Sequence, residues 1–67
     1  MAKKDYTIDS IGFEGGWVYV RVVGETPDAM RQGRDAYLRD YPSFPYETQV
    51  LFETSQACEI KRWHTAD

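Results

Sequence analysis

The stretch Trp17-Val18-Tyr19-Val20-Arg21-Val22-Val23 decides the fold. It is rich in β-branched and aromatic residues and too short for a helix, so it predicts a β-strand over 17–23. Side chains alternate between the two faces of a strand, so the even positions form an apolar face. The odd positions carry Trp17, Tyr19 and Arg21, with Val23 as the exception, so the two faces of this strand differ in chemistry.

Gly15-Gly16 directly precedes this strand, and a short glycine-containing loop between two apolar segments is typical of a β-hairpin. The segment 5–14 is therefore predicted to be the first strand. Its apolar residues lie at even positions in the first half, Tyr6 and Ile8, and at odd positions in the second half, Ile11 and Phe13. A β-bulge near Asp9-Ser10 would place all of them on one face, because one extra residue shifts the alternation.

Thr26, Pro27 and Asp28 have the chemistry of a helix start: a hydroxyl N-cap, a proline at the first helical position and a carboxylate near the positive end of the helix dipole. The helix is predicted over 27–41. Helical spacing gives one packing face, made of Ala29, Met30, Gly33, Ala36, Tyr37 and Tyr41. Because glycine is a poor helix former, Gly33 on that face predicts a close approach of the helix to the sheet.

The remaining residues predict a second hairpin, with strands over 46–53 and 57–63. The order ββαββ indicates an α+β fold in one domain, 1–67, with a four-stranded antiparallel sheet and one helix packed on one face. The apolar side chains at even positions are assigned to the core beneath the helix: Val18, Val20, Val22, Val50, Phe52, Cys58 and Ile60.

The loop before the third strand contains Phe44-Pro45. Flanking aromatic residues make a cis peptide bond before Pro45 more plausible than usual. Phe44 is expected to extend the core under the helix end, and the alternative is an exposed aromatic contact.

The chain has 67 residues, with eight Lys and Arg against eleven Asp and Glu, and a formal net charge of −3. This length excludes a multidomain enzyme. The negative charge argues against a protein that coats DNA or RNA through its phosphates. With 42% hydrophobic and 15% aromatic residues, the composition excludes an intrinsically disordered chain.

Stabilising cross-links are scarce in this sequence. Cys58 is the only cysteine and His64 the only histidine, so neither an internal disulfide nor a structural zinc site is expected. Such a small domain is marginally stable, which favours self-association. No cofactor is expected. The sequence has no apolar run of membrane-spanning length, so we expect no membrane partner and a cytoplasmic location, in a host cell if the chain is phage-encoded.

The odd positions of the predicted strands suggest a binding surface where a solvated face would be polar. The candidate partner-binding residues are Trp17, Tyr19, Arg21, Leu51, Lys61 and Trp63. Trp and Tyr beside Arg make up much of the binding energy at protein interfaces. The alternative is that Trp17 and Trp63 pack over the sheet rim or on each other across strands.

The same face could instead stack unpaired bases, with Arg21, Lys61 and Arg62 contacting phosphates. Glu53 and Glu59, predicted on that face, argue against single-stranded nucleic acid as a partner. A third interpretation is an acidic mimic of nucleic acid, using Asp5, Asp9, Glu14, Glu47, Glu53 and Glu59. Such charges more often keep a small domain soluble.

No catalytic residues are predicted. Cys58 and His64 lie six positions apart on one predicted strand, or roughly 20 Å, which is too far for a nucleophile and its base. Cys58 is expected to be a small buried residue. No pair of carboxylates and no phosphate-binding loop is evident, so the sequence indicates a non-enzymatic protein.

The junction Val20-Arg21-Val22-Val23-Gly24-Glu25-Thr26-Pro27-Asp28 resembles the strand-to-helix junction of small phage-encoded host-takeover proteins, among them a phage inhibitor of bacterial RNA polymerase. The resemblance covers about ten residues and assigns no functional residue. It implies a compact non-enzymatic protein that docks on a larger host complex and blocks it sterically. The expected function is therefore a protein-binding module, and the alternatives are single-stranded nucleic-acid binding and homodimeric assembly.

Overall fold

The computed structural model describes residues 5–64, which form a four-stranded antiparallel sheet with one main helix packed against it. The strands are β1 (Tyr6–Glu14), β2 (Trp17–Gly24), β3 (Gln49–Glu53) and β4 (Ala57–Trp63). The helices are α1 (Pro27–Asp40) and the short α2 (Ser43–Tyr46). The strand order β1-β2-β4-β3 makes β1 and β3 the edges of the sheet. The predicted α+β fold class is confirmed.

The β1–β2 hairpin turns at Gly15 and Gly16, whose φ angles are 60° and 85°. This left-handed region favours glycine, and two such residues in succession suit a tight hairpin turn. The strand pairing skips Ile11, between Ser10 and Gly12. The predicted bulge is therefore present, one residue beyond the expected position.

The bulge returns Phe13 to the face covered by α1, where it lies opposite Val18. Burial does not follow, however, because Phe13 is 65% exposed and Ile11 is 43% exposed. The helix packs mainly on β2 and on β1, where Tyr6 and Ile8 are half-buried. The bulge therefore aligns Phe13 with the helix face without burying the second half of β1.

Helix α1 begins as its sequence predicts. The Thr26 hydroxyl accepts a hydrogen bond of 3.1 Å from the Ala29 backbone N–H, and Pro27 occupies the first helical turn. The buried helix residues belong to the predicted packing face: Ala29, Met30, Gly33 and Tyr37. The helix ends at Asp40, one residue earlier than predicted, and Tyr41 caps it with a backbone N–H bond to the Tyr37 carbonyl.

Gly33 brings the helix close to the sheet, as predicted. A Cβ at this position would lie 2.6 Å from Cδ1 of Tyr6 and 2.8 Å from Cγ1 of Val22. Neither distance is compatible with an unstrained side chain, so glycine is required for α1 to rest on β1 and β2 at this separation.

The core lies between α1 and the face of the sheet that it covers, which we call the helix face. Its buried members are Val20, Val22, Met30, Tyr37, Cys58 and Ile60. Ile8, Val18, Leu38 and Tyr41 pack around them with partial exposure. Four of the even-numbered strand residues predicted for the core are therefore buried: Val20, Val22, Cys58 and Ile60.

Edge strand β3 departs from the predicted alternation. Val50 lies opposite Ile60, the pairing then skips Leu51, and Phe52 lies opposite Glu59. This second bulge moves Phe52 away from the helix face, so its assignment to the core was wrong. Val50 stays on the helix face but is 42% exposed, which corrects its assignment as well.

The same shift turns Glu53 toward the helix, opposite Cys58 rather than on the solvent side. One Nη of Arg34 donates hydrogen bonds of 2.9 Å to both carboxylate oxygens of Glu53. These bonds, with a further one to Asp35, raise the pKa of the Arg34 guanidinium above its ordinary value. The bulge thus converts an expected outer-face charge into an ion pair between α1 and β3.

The segment before β3 is more irregular than predicted. The Phe44–Pro45 peptide bond is cis, and Phe44 is 86% exposed. Phe44 does not extend the core, so that expectation was wrong, and its ring is exposed to solvent. Strand β3 begins at Gln49 rather than at Tyr46, because α2 and the left-handed Glu47, with φ of 54°, precede it.

Candidate functional site

The candidate site lies on the side of the sheet turned away from α1, which we call the outer face. Strands β2 and β4 run through its centre, and their register places Trp17 opposite Trp63 and Tyr19 opposite Lys61. The next pair along the strands is Arg21 with Glu59. The structure therefore brings five of the six predicted partner-binding residues onto one face: Trp17, Tyr19, Arg21, Lys61 and Trp63.

The two tryptophans contact each other across the strands. Their ring centroids lie 5.3 Å apart at an interplanar angle of 78°, the edge-to-face arrangement that aromatic pairs favour. The Trp63 ring also covers Gly16, where a Cβ would lie 2.6 Å from the indole. Both indoles are half-buried. Each therefore contributes to packing within the domain while keeping part of its surface toward solvent.

Lys61 and Tyr19 complete the aromatic part of the face. The Lys61 ammonium lies 4.4 Å from the centroid of the Trp17 ring, a cation–π contact. Tyr19 is half-buried beside them and lines an open depression at the β1 edge together with Ile11, Gly12, Phe13 and Glu14. We call Trp17, Tyr19, Lys61 and Trp63 the aromatic patch.

Arg21 is held by a carboxylate on the neighbouring strand. Its Nε and one Nη donate hydrogen bonds of 3.1 and 2.8 Å to the same oxygen of Glu59. Among the outer-face cations within residues 5–64, Lys61 alone forms no ion pair. The Glu59 and Glu53 carboxylates that were considered for an acidic mimic are thus both paired with arginines.

Leu51 lies apart from the aromatic patch, at the bulge of edge strand β3, and is 44% exposed. The residue that sequence reasoning missed is Phe52, which lies opposite Glu59 on the outer face and is 49% exposed. A signal for it exists in the sequence, because three consecutive apolar residues in Val50-Leu51-Phe52 break the two-residue alternation.

Arg62 does not belong to the outer face. It lies opposite Val18 on the helix face, where its Nε donates a 2.7 Å hydrogen bond to the Tyr37 hydroxyl. Its guanidinium carbon lies 4.0 Å from the centroid of the Tyr41 ring. Burial raises the pKa of Tyr37, and the hydrogen bond from Arg62 opposes that rise. The Arg62 side chain therefore packs at the C-terminal end of α1. It does not lie on the outer face, where it was expected to contact phosphates.

The two residues considered for nucleophilic chemistry occupy different environments. Cys58 is fully buried in the core, and this burial raises the pKa of its thiol. His64 is exposed, lies beside the rings of Phe13 and Trp63, and has Nδ1 3.1 Å from the Gly16 carbonyl oxygen. A thiol held protonated and inaccessible is a poor nucleophile.

Within 5–64, no cluster of three or more His, Cys, Asp or Glu side chains is placed to bind a metal ion. Neither helix in this part of the chain combines the length and the apolar character needed to cross a membrane.

Comparison of the chain with models of protein families, with curated proteins and with solved structures finds no match.

Proposed function

We propose that this chain is a non-enzymatic protein-binding module that docks on a partner protein through the aromatic patch. The interaction needs no cofactor, since the partner is held by packing and hydrogen bonding alone. The specific form that we propose is an inhibitor encoded by a phage or mobile element, which blocks a host complex sterically. The resemblance at the strand-to-helix junction supports that form, and the outer face supports docking itself.

The composition of the patch favours a protein partner. Trp and Tyr present large rigid surfaces that lose little side-chain entropy on binding, and each keeps one polar group for a hydrogen bond. Trp17 and Trp63 are also fixed by their mutual contact, so their positions are set before a partner arrives. Such preorganisation lowers the entropic cost of association.

The observation that carries the proposal is the charge state of the outer face. Arg21 is neutralised by Glu59, and Arg62 lies on the other side of the sheet, so Lys61 is left as the unpaired outer-face cation in the described part of the chain. Phosphate contacts from several cations supply most of the affinity for nucleic acid. An aromatic surface with one such cation is better suited to a protein.

A fluorescence titration separates the two partner classes. Because Trp17 and Trp63 lie in the patch, stacked bases would quench their emission. We expect no salt-dependent quenching when a single-stranded oligonucleotide is added to the protein at low ionic strength. Quenching that weakens steeply with added salt would assign the patch to nucleic acid instead.

The docking residues are tested by substitution in a capture experiment with extracts of cells in which the chain is expressed. Tyr19→Ala and Lys61→Glu are expected to reduce retention of the partner by at least about tenfold, as hot-spot substitutions do. Gln32→Ala, on the exposed side of α1, is the matched control and should retain the partner fully. Equal retention by all three variants would contradict docking through the patch.

A further inference from the structure

Strand β3 is an edge strand with an unusual concentration of exposed apolar side chains. It pairs with β4 alone among the described strands, and all five of its residues are exposed. Val50, Leu51 and Phe52 are 42%, 44% and 49% exposed. An edge strand also presents unpaired backbone N–H and C=O groups, so β3 offers another strand both hydrogen bonds and apolar contact.

The charges along β3 do not prevent such pairing. Glu53 is its only charged residue, and both of its carboxylate oxygens accept hydrogen bonds from Arg34. The strand contains no lysine or proline, the residues that most often protect an edge. The β3 edge is thus locally neutral, although the chain carries a net charge of −3.

The opposite edge is different. Strand β1 carries the exposed Asp9 and Glu14, and Asp5 directly precedes it. Both edge strands contain a bulge, so charge is the feature that separates them. Pairing two β1 edges would bring the unpaired carboxylates of both copies together, and like charges at close range oppose association. Charge therefore distinguishes the two edges and leaves β3 as the one suited to a second copy of this chain.

We propose that two copies of the chain associate through antiparallel pairing of β3 with β3 of the second copy. A two-fold axis at this contact brings the same apolar surface of both copies together, which closes the assembly at a dimer. The two four-stranded sheets then form one continuous sheet with an acidic β1 edge at each end. This inference goes beyond the proposed function, because the aromatic patch lies on β2 and β4 and stays open in the dimer.

Sedimentation velocity over roughly 5 to 500 µM protein tests the dimer, because its population must rise with concentration. The test variant is Leu51→Lys, which places a cation on each copy at the contact. Ile11→Lys is the matched control, since Ile11 is also a bulge residue of an edge strand and its exposure of 43% is close to the 44% of Leu51. Circular dichroism checks that each variant is folded.

We expect a concentration-dependent dimer for the original chain and for Ile11→Lys, and an increase of at least about tenfold in the dissociation constant for Leu51→Lys. If Leu51→Lys fails to fold, Phe52→Lys takes its place. A monomer over the whole concentration range, or a dimer that the β3 substitution leaves intact, would overturn the proposal. Partner capture with Tyr19→Ala and Lys61→Glu distinguishes this failure from failure of the proposed function, because these substitutions alter the aromatic patch on β2 and β4 and leave the β3 edge unchanged.

Discussion

Replacing Gly24 with alanine is expected to unfold most of the protein. A Cβ at this position would lie 2.2 Å from the backbone nitrogen of Met30 and 2.5 Å from its Cα. These atoms belong to the first turns of α1, which are fixed by the Thr26 cap, so they cannot move aside as a flexible side chain would. We expect a loss of about 3 kcal/mol or more, at the upper end of the cost of overpacking. The single core of a domain this small rarely supplies more than about 3–5 kcal/mol in total.

Gly12→Ala is the control for this experiment. Gly12 is also a strand glycine, but its added Cβ would lie 3.9 Å from the nearest atoms of Tyr19, an ordinary contact distance. We expect its free energy of unfolding to stay within about 1 kcal/mol of that of the original chain. Urea denaturation followed by circular dichroism measures both variants. Equal destabilisation by Gly24→Ala and Gly12→Ala would show that the backbone of Met30 in α1 does not lie against Gly24.

Ile60→Ala is expected to produce the second large effect. Ile60 is fully buried on β4 beneath α1, and its truncation leaves a cavity in the centre of the core. Removing three carbons from such a site costs about 2–5 kcal/mol, from lost burial and from the cavity itself. We expect the variant to unfold at much lower urea concentration than the original chain.

Val50→Ala tests whether the large loss of stability at Ile60 arises because α1 covers that residue. Val50 lies directly opposite Ile60 on the same face of the sheet, yet it is 42% exposed. We expect it to lose about 1 kcal/mol or less when measured at low protein concentration, where any dimer is dissociated. A loss as large as that of Ile60→Ala would mean that β3 is covered within one chain, and that its exposed edge has been misassigned.

Much of this fold is encoded in local signals that a sequence makes visible. The cap at Thr26 and the glycine pair at 15–16 each require a particular backbone geometry, so they locate the helix and the hairpin directly. The broken alternation in β1 likewise indicated a bulge, because a strand cannot otherwise place Tyr6 and Phe13 on one face.

The errors arose where burial depends on the lateral position of the helix. Alternation assigns Val50 to the helix face, but it does not say how far α1 extends over the sheet, and Val50 is 42% exposed. For Phe52 and Glu53 the broken alternation was visible in the sequence. Simple alternation along β3 puts both residues on the wrong face, and a bulge like that of β1 accounts for the observed one.

The residues of the candidate site were predictable from the sequence, but the ion pair and the position of the charged side chains were less so. Parity alone placed Trp17 and Trp63 on one face, and the antiparallel register made them neighbours. The pairing of Arg21 with Glu59 depends on the strand order, which alternation does not determine. The assignment of Arg62 to the outer face ignored its even position, and the structure places it against Tyr37 and Tyr41.

Site-specific photo-cross-linking tests most directly whether the outer face docks on a partner protein. The photoreactive amino acid p-benzoylphenylalanine replaces Tyr19 in one variant and Gln32 in the other, and both are irradiated in cells in which the chain is expressed. We expect a covalent adduct with a different protein from position 19 and none from position 32. Adducts with nucleic acid from position 19, or the same protein adducts from both positions, would contradict it.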